Sequence, residues 1–338
     1  MLKRILPLLL AALLLLTGCA EQTARKNLEG AYVLITKSSG NPYNDHMANG
    51  FREAITENGR KAVVLEPEKA TAEAQIELIR SCIRADVRAI SIAANDASAL
   101  DSVLREAMEA GIQVSTMDSN SGEDSHSVFV NQVSARTLAR NLMDAVYELS
   151  GGSGSWAILS TTNQAGNQSA WIREMQALMV QEPYRDLRLV DISFGEDNAA
   201  LSKNKVRELL SQYPDLKVLC VPTVVGMRAA AEVLEEQSAD VRLTGLGLPS
   251  EMADYMAGED PLCPVMYLWD PISIGRLSAY VSMALTEGEI TGAAGEILVT
   301  PEGKRHQIVE SPLGGTEVIV GHPQEFTPEN IGEWKDVF

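Results

Sequence analysis

The chain has 338 residues and a formal net charge of −18, and 45% of its residues are apolar against 22% charged. These values fit a globular protein of about two domains, and they exclude a disordered, a collagen-like or a multi-span membrane chain. The acidic surface and the low aromatic content of 5% disfavour nucleic-acid binding, because phosphate backbones are repelled and few rings can stack on bases.

The beginning of the chain predicts export and a lipid anchor. A basic pair precedes an apolar run at 5–16, which is shorter than the roughly 20 residues of a membrane-spanning helix and typical of a signal peptide. The run ends in the letters LTGC, which are similar to the bacterial lipobox and place the lipid on Cys19. We expect residues 1–18 to be a lipoprotein signal peptide and 19–27 a polar tether; an ordinary signal peptide is the alternative.

Strands and helices alternate along the rest of the chain. Short apolar runs predict strands, and apolar residues recurring every three or four positions predict helices. The predicted strands lie at 31–36, 61–65, 87–93, 112–117, 128–130, 156–159, 187–192, 218–221, 241–246 and 264–268, with short candidates at 297–299 and 317–320. The predicted helices lie at 43–59, 70–84, 97–110, 133–149, 168–180, 199–213, 226–236, 249–257 and 272–285. This alternation predicts an α/β fold with parallel sheets, divided into two similar Rossmann-like lobes.

Residues that follow the predicted strands are the candidates for a binding site. In open parallel sheets, ligands bind beyond the carboxyl ends of the strands. Amides, hydroxyls, two acids and several aromatic rings occupy these positions, a set that suits the vicinal hydroxyls and apolar faces of a neutral sugar. The candidate ligand-binding residues are Lys37, Asn41, Tyr43, Asp118, Asn167, Gln168, Trp171, Pro222, Thr223, Trp269 and Asp270.

Several of these residues also suit a purely structural role. Asp118 is a residue type that favours turns, and Lys37 is suited to a solvated loop. Asn167 and Asp270 are suited to N-cap the helices that follow them, and Trp171 fits a core position equally well. The residue types alone leave both alternatives open at these positions.

Motifs for a cofactor, a metal or catalysis are weak. The segment 245–250 follows a strand and has two glycines, but serine stands at the third glycine position of a dinucleotide fingerprint. The four histidines lack the spacing of metal ligands, and no nucleophile–base pair stands out. We therefore expect no cofactor, no metal and no enzymatic activity. The cysteines beyond the lipobox are expected to be buried free thiols, at Cys82, Cys220 and Cys263.

The chain resembles the periplasmic sugar-binding proteins of type I fold over nearly all of its length. The resemblance rests on the strand ends at 37–43 (KSSGNPY) and 114–118 (VSTMD) and on the order of strands and helices. The segments 244–252 (TGLGLPSEM) and 268–271 (LWDP), the latter followed by Gly275, are more specifically similar to the rhamnose-binding and autoinducer-2-binding branch.

This resemblance implies two lobes joined by three hinge strands, which close on a sugar and deliver it to an ABC permease. The N-terminal lobe would comprise 28–131 and 269–294, and the C-terminal lobe 132–268 and 295–338. The binding residues that it implies are Lys37 and Asp118 in the N-terminal lobe, Asn167, Gln168, Pro222 and Thr223 in the C-terminal lobe, and Asp270 near a hinge.

The function we expect is that of a monomeric, lipid-anchored, extracytoplasmic receptor for a neutral monosaccharide, rhamnose or a related deoxy-sugar. An autoinducer-2 receptor of the same fold is the alternative, and a secreted α/β enzyme acting on sugars is a third hypothesis. The positions matched to Asn167 and Val224 are an aspartate and an alanine in the autoinducer-2 receptors, so this chain departs from that pattern at both.

Overall fold

Two sheets form the centres of two lobes in the computed structural model, which describes residues 26–338. The expected signal peptide, the expected lipidation site Cys19 and most of the tether lie outside the described residues. Within 26–338, no helix combines the length and the apolar character needed to cross a membrane.

Fourteen strands and ten α-helices carry the fold within the described part of the chain. The strands are β1 (Tyr32–Ile35), β2 (Ala62–Leu65), β3 (Ala89–Ile92), β4 (Gln113–Met117), β5 (Phe129–Asn131), β6 (Gly154–Ser160), β7 (Leu187–Phe194), β8 (Leu216–Val221), β9 (Arg242–Gly245), β10 (Met266–Leu268), β11 (Ile297–Val299), β12 (Arg305–Glu310), β13 (Thr316–Ile319) and β14 (Gln324–Phe326). The helices are α1 (Pro42–Glu57), α2 (Ala72–Ala85), α3 (Asp101–Glu109), α4 (Ala135–Leu149), α5 (Gly166–Leu178), α6 (Ala199–Gln212), α7 (Val224–Glu236), α8 (Pro249–Met252), α9 (Pro271–Glu287) and α10 (Ile331–Trp334).

The sheets are mainly parallel, as the alternation of strands and helices predicts. The first sheet has the strand order β11-β12-β13-β5-β4-β3-β1-β2, in which β1 to β5 and β13 run parallel. The second sheet has the order β7-β6-β8-β9 and is parallel throughout, and β10 pairs with β14 beside it. The predicted α/β fold with two parallel-sheet lobes is confirmed.

Helices cover the first sheet on both faces, because successive side chains of a strand point to opposite sides. Tyr32 and Leu34 of β1 belong to the apolar cluster that includes α1 and α9. Val33 and Ile35 belong to the other cluster, with α2 and α3. The helix pairs α4–α5 and α6–α7 cover the second sheet.

Helices α1 and α9 touch backbone to backbone at two glycines. A Cβ atom added to Gly275 would lie 2.0 Å from the carbonyl oxygen of Met47, and one added to Gly50 would lie 2.2 Å from that of Ile272. No side chain fits at either position without moving a helix. The contact fixes the start of α9, which directly follows a segment that connects the two lobes.

Three segments pass between the lobes, as the resemblance implies. They run from β5 to α4 at 131–135, from β10 to α9 at 268–271, and from β13 to β14 at 319–324. Each segment is short and leaves one sheet to enter elements of the other lobe. The arrangement provides a three-stranded hinge.

The C-terminal tail differs from the expectation that 295–338 belongs to the C-terminal lobe. Strands β11 to β13 instead extend the first sheet, where Val318 of β13 lies opposite Val130 of β5. The chain returns to the C-terminal lobe only with β14, and the carbonyl oxygen of Phe338 accepts a hydrogen bond from the backbone N–H of Ser250. The physical reason is that β13 buries Val318 against the first sheet.

The three described cysteines are free and buried, as expected. Burial raises the pKa of the Cys82 thiol to about 12 and raises the pKa values of Cys220 and Cys263 as well. Neutral thiols of this kind act as small apolar core residues.

A candidate ligand site between the lobes

A small cavity of about 60 Å³ lies between the lobes, at the carboxyl ends of strands from both sheets. The strand-end argument predicts this location, and residues following β1, β4, β6 and β8 all reach it. Ten of the eleven predicted ligand-binding residues line the cavity: Lys37, Asn41, Tyr43, Asp118, Asn167, Gln168, Trp171, Pro222, Thr223 and Trp269.

Three polar side chains contact one another in the cavity and span both lobes. The Nζ atom of Lys37 lies 3.1 Å from Oδ2 of Asp118 and donates to Oδ1 of Asn167 at 3.3 Å. The Nδ2 atom of Asn167 donates to Oδ2 of Asp118 at 3.4 Å. The two charges compensate each other at side-chain exposures of 14% and 6%, so the pair presents donors and acceptors without net charge.

Asp118 has an unusual backbone conformation. Its φ angle is 59°, in the left-handed region that non-glycine residues seldom adopt. Its backbone N–H donates to the carbonyl oxygen of Val130 at 3.1 Å, which helps to hold this geometry. Asp118 is also the central residue of a tight turn, in which the backbone N–H of Ser119 donates to the carbonyl oxygen of Met117 at 2.5 Å. The contacts of its carboxylate with Lys37 and Asn167 favour a binding role in addition to the turn.

Two aromatic residues form a chain of hydrogen bonds that ends on Asp118. The indole Nε1 of Trp269 donates to the Tyr43 hydroxyl at 2.6 Å, and this hydroxyl donates to Oδ1 of Asp118 at 3.0 Å. Burial, followed by the negative charge of Asp118, raises the pKa of Tyr43 well above its ordinary value, so its proton stays in place. The Trp269 ring meets those of Tyr43 and Trp171 edge to face, which creates an aromatic wall.

The C-terminal lobe supplies an amide whose orientation is set by its neighbours. Oε1 of Gln168 accepts hydrogen bonds from Oγ of Ser160 at 2.6 Å and from the backbone N–H and Oγ1 of Thr161 at 2.9 and 2.6 Å. Its Nε2 is therefore the polar atom that Gln168 can offer to a ligand. Pro222 and Thr223 line the cavity immediately before α7.

Asp270 is the predicted residue that does not line the cavity. It is the N-cap of α9, where its carboxylate accepts from the backbone N–H of Ile272 at 2.9 Å and from Oγ of Ser273 at 2.5 Å. Asp270 therefore caps a helix and does not line the cavity.

Asn167 lines the cavity and does not cap its helix. Ala165 is the N-cap of α5, and the Asn167 amide faces Lys37 and Asp118.

Several polar residues that line the cavity are not among the predicted site residues. Nδ2 of Asn95 donates to the carbonyl oxygen of Lys37 at 2.8 Å and so supports the loop after β1. Asp197, in the loop after β7, accepts from Oγ of Ser38 at 2.8 Å and from Nδ2 of Asn41 at 3.0 Å. Asp197 follows strand β7, and this position after a strand is the feature by which the sequence could have indicated it as a site residue. The other missed polar lining residues are Asn44, Thr161 and Thr162.

The site offers no arrangement for a metal. Within residues 26–338, no three side chains of His, Cys, Asp or Glu are grouped so that they could hold a metal ion. The chemistry that the cavity does offer is hydrogen bonding from amides, a lysine and a carboxylate, combined with contact to aromatic rings.

Comparison with known proteins identifies the same architecture. Residues 32–290 match the family model described as periplasmic binding protein domain. An ABC transporter solute-binding protein from Clostridium phytofermentas, solved with bound L-rhamnose, is 44% identical, with a TM-score of 0.90 and coverage of 92% of this chain and 99% of that one. A sugar ABC transporter structure from Actinomyces odontolyticus is 35% identical, with a TM-score of 0.70 and coverage of 90% and 97%.

A third structure is similar in fold alone. LsrB from Clostridium saccharobutylicum, solved in complex with AI-2, is 18% identical, with a TM-score of 0.83 and coverage of 90% of this chain and 99% of that one. At this identity the likeness carries no information about the ligand of the present chain.

Two α/β lobes, three connecting segments and a cavity between the lobes define a bilobal small-molecule binding protein. The chain belongs to the periplasmic binding protein family, in its type I fold. Members of this family are solute-binding proteins of transporters rather than enzymes, which agrees with the expected absence of a catalytic role.

Proposed function

We propose that this protein binds L-rhamnose or a closely related 6-deoxy-sugar between its lobes and delivers it to an ABC permease. The observation that carries the proposal is the pairing of a charge-compensated polar set, Lys37, Asp118 and Asn167, with an aromatic wall in one cavity. Within this set the opposite charges of Lys37 and Asp118 compensate each other, which suits neutral hydroxyl groups. The further carboxylate at the cavity, Asp197, already accepts hydrogen bonds from Ser38 and Asn41.

The apolar part of the lining favours a deoxy-sugar over a fully hydroxylated hexose. It consists mainly of Trp171, Val224, Leu246, Leu268 and Trp269. The methyl group of a 6-deoxy-sugar needs no hydrogen-bond partner, whereas a hydroxyl left unpaired there would cost about 1–3 kcal/mol. The L-rhamnose bound to the relative that is 44% identical supports the same choice.

Closure of the lobes would perform the function without making or breaking a bond. Lys37 of the N-terminal lobe reaches Asn167 of the C-terminal lobe, so the structure represents a closed arrangement. A ligand that touches both lobes binds this state more tightly than an open one and shifts the population towards it. The permease would then recognise the closed form.

The location that we propose rests on the N-terminal sequence. Lipid attached to Cys19 would hold a monomer at the outer face of the cytoplasmic membrane. A Cys19→Ser variant tests this part, because it should move the protein from the membrane fraction to the soluble fraction. Equal membrane retention of the variant and the wild type would contradict the lipid anchor.

A thermal-shift panel tests the ligand. The sugars are L-rhamnose, ribose, xylose, galactose and fucose, with autoinducer-2 as a further ligand. A ligand at about 1,000 times its dissociation constant adds about 4 kcal/mol of stability, which is easily seen as a rise in melting temperature. We expect the largest rise with L-rhamnose. A rise with autoinducer-2 alone would assign a signalling role instead, and turnover of a bound sugar would revive the enzyme hypothesis.

A further inference from the structure

We propose that Tyr43 and Trp269 are positioning residues, whose polar atoms hold the Asp118 carboxylate in place instead of hydrogen-bonding the ligand. The sequence analysis predicts that both residues bind the ligand, because both follow predicted strands. The geometry points to an indirect role, in which Trp269 orients Tyr43 and Tyr43 orients Asp118. The proposal rests on the proposed function only in its use of L-rhamnose as the ligand.

The hydroxyl of Tyr43 has no proton left for a ligand. A phenol carries one O–H donor, and that donor is committed to Oδ1 of Asp118 at 3.0 Å. The oxygen also accepts from Nε1 of Trp269 at 2.6 Å, which uses the only donor of the indole ring. Both side chains therefore present ring surface to the cavity, while their polar atoms are bonded to each other and to Asp118.

Asp118 is a residue whose orientation needs this support. Its backbone has a positive φ of 59°, and its other oxygen faces Lys37 and Asn167 at 3.1 and 3.4 Å. With Oδ1 held by Tyr43, the carboxylate cannot rotate, and Oδ2 is directed at the polar set. A fixed acceptor binds a sugar hydroxyl at a lower entropic cost than a rotating one does.

Trp269 connects this chain of hydrogen bonds to the hinge. It lies in the segment 268–271 that passes between the lobes, two residues before α9 begins. Helix α9 is fixed against α1, the helix that carries Tyr43, at the Gly275 contact. The donor Trp269 and the acceptor Tyr43 are thus held by the same pair of packed helices, which gives Asp118 a rigid support.

A double-mutant cycle between Tyr43 and Asp118 separates an indirect role from direct contact. Calorimetry with L-rhamnose is run on the wild type, Tyr43→Phe, Asp118→Ala and the double variant. We expect Tyr43→Phe to weaken binding about tenfold, since it removes a hydrogen bond to a charged group, and by less than twofold when Asp118 is already alanine. The same weakening in both backgrounds would overturn the proposal, because it would show that Tyr43 contacts the ligand itself.

Tyr184 provides a matched control. Its hydroxyl also donates to a carboxylate, that of Asp144, and its ring is similarly buried, but it lies away from the cavity in the C-terminal lobe. Tyr184→Phe should leave the affinity for L-rhamnose unchanged. If Tyr43→Phe does not fold, Trp269→Phe replaces it in the cycle. Its effect should then be smaller in the Asp118→Ala background, where only the loss of ring surface remains, and an equal effect in both backgrounds would overturn the proposal.

A readout without ligand tests the hydrogen bonds independently of the proposed function. The protein has four tryptophans, so its indole N–H groups give four nuclear magnetic resonance signals, and Trp269→Phe identifies one of them. This signal should shift in Tyr43→Phe and stay in place in Tyr184→Phe. An unmoved signal would overturn the proposed chain of hydrogen bonds from Trp269 through Tyr43 to Asp118, whether or not rhamnose binds. A shifted signal in a protein that binds no rhamnose would support this chain of hydrogen bonds and contradict the proposed ligand.

Discussion

The carboxylate of Asp197 in the C-terminal lobe accepts a hydrogen bond of 2.8 Å from the hydroxyl of Ser38 in the N-terminal lobe. Asn41 donates to the same carboxylate at 3.0 Å. These bonds join the lobes through protein atoms alone. They therefore stabilise the closed state for every ligand alike, unlike contacts that a particular sugar makes.

Asp197→Ala should lower the affinity for different sugars by one common factor of about three to ten. Loss of the Ser38 and Asn41 bonds reduces the closed population, and the apparent dissociation constant rises in inverse proportion to that population. Calorimetry with L-rhamnose and with a weaker sugar of the panel measures the two factors. Small-angle scattering should show a larger radius of gyration for the variant without ligand.

Glu196→Ala is the control for this prediction. Glu196 is an exposed acid with φ 53°, next to Asp197 with φ 50°, so the two alanine variants share the same backbone strain and loss of charge. Glu196→Ala should leave both affinities unchanged. If Asp197→Ala lowers the affinities for the two sugars by different factors, Asp197 contacts the ligand directly. This result would contradict the account in which Asp197 only joins the lobes.

Asn167→Asp should weaken L-rhamnose binding at least tenfold. It places a second carboxylate about 3.4 Å from that of Asp118, and Lys37 is the only cation among the described residues that line the cavity. Asn163→Asp, an exposed change in the loop before α5, controls for net charge and should have little effect. Calorimetry at pH 7 makes the comparison, and equal affinities for the two variants would contradict the account of the polar set.

Gly275→Ala should destabilise the fold by about 3 kcal/mol and lower the melting temperature by roughly 5–10 °C. The added Cβ would lie 2.0 Å from the carbonyl oxygen of Met47, so α1 and α9 would have to separate. Gly332→Ala is the control, since a Cβ there meets nothing within 4 Å. Thermal unfolding without ligand measures both variants, and similar melting temperatures would show that the helix contact is not tight.

His126 should make the protein lose stability below pH 6.5. Burial lowers the pKa of His126 in the folded protein to about 4, against about 6.5 when unfolded. Between these values the unfolded chain binds the extra proton, so stability is full above pH 6.5 and falls as the pH drops towards 4. The loss between pH 7 and pH 5 is about 2 kcal/mol.

Urea unfolding at pH 7 and pH 5 measures this loss. His126→Gln should remove most of it, whereas His322→Gln, at an exposed position, should preserve it. Burial also lowers the pKa of His306, so a smaller loss of the same sign should remain in the His126 variant. An unchanged pH dependence in His126→Gln would contradict the assignment.

The location of the cavity could be predicted because two local patterns were enough. Hydrophobic periodicity shows where each strand ends, and parallel pairing brings those ends to one edge. Lys37 and Asp118 follow strands of the first sheet and meet for this reason. Asn167 follows a strand of the second sheet and meets them because the two lobes face each other at these edges. Asp270 follows a strand too, but it also precedes a proline at the start of a helix, and the capping role describes its position.

Long-range pairing and polar strands could not be predicted from local patterns. Strand β12 has the sequence RHQIVE, whose few apolar residues predict no strand, although it joins β11 to β13. The pairing of Val318 with Val130 depends on a contact between distant parts of the chain. Asp197 was missed because β7 continues to Phe194, two residues beyond the predicted strand.

Calorimetric titration with L-rhamnose and with L-mannose tests the central claim most directly. The two sugars differ only at C6, where L-mannose carries a hydroxyl and L-rhamnose a methyl group. We predict saturable binding of L-rhamnose in the micromolar range. Binding of L-mannose should be at least tenfold weaker, because the apolar part of the lining, which includes Trp171, offers the C6 hydroxyl no hydrogen-bond partner. No binding of L-rhamnose at millimolar concentration, or equal affinity for the two sugars, would contradict the proposed ligand.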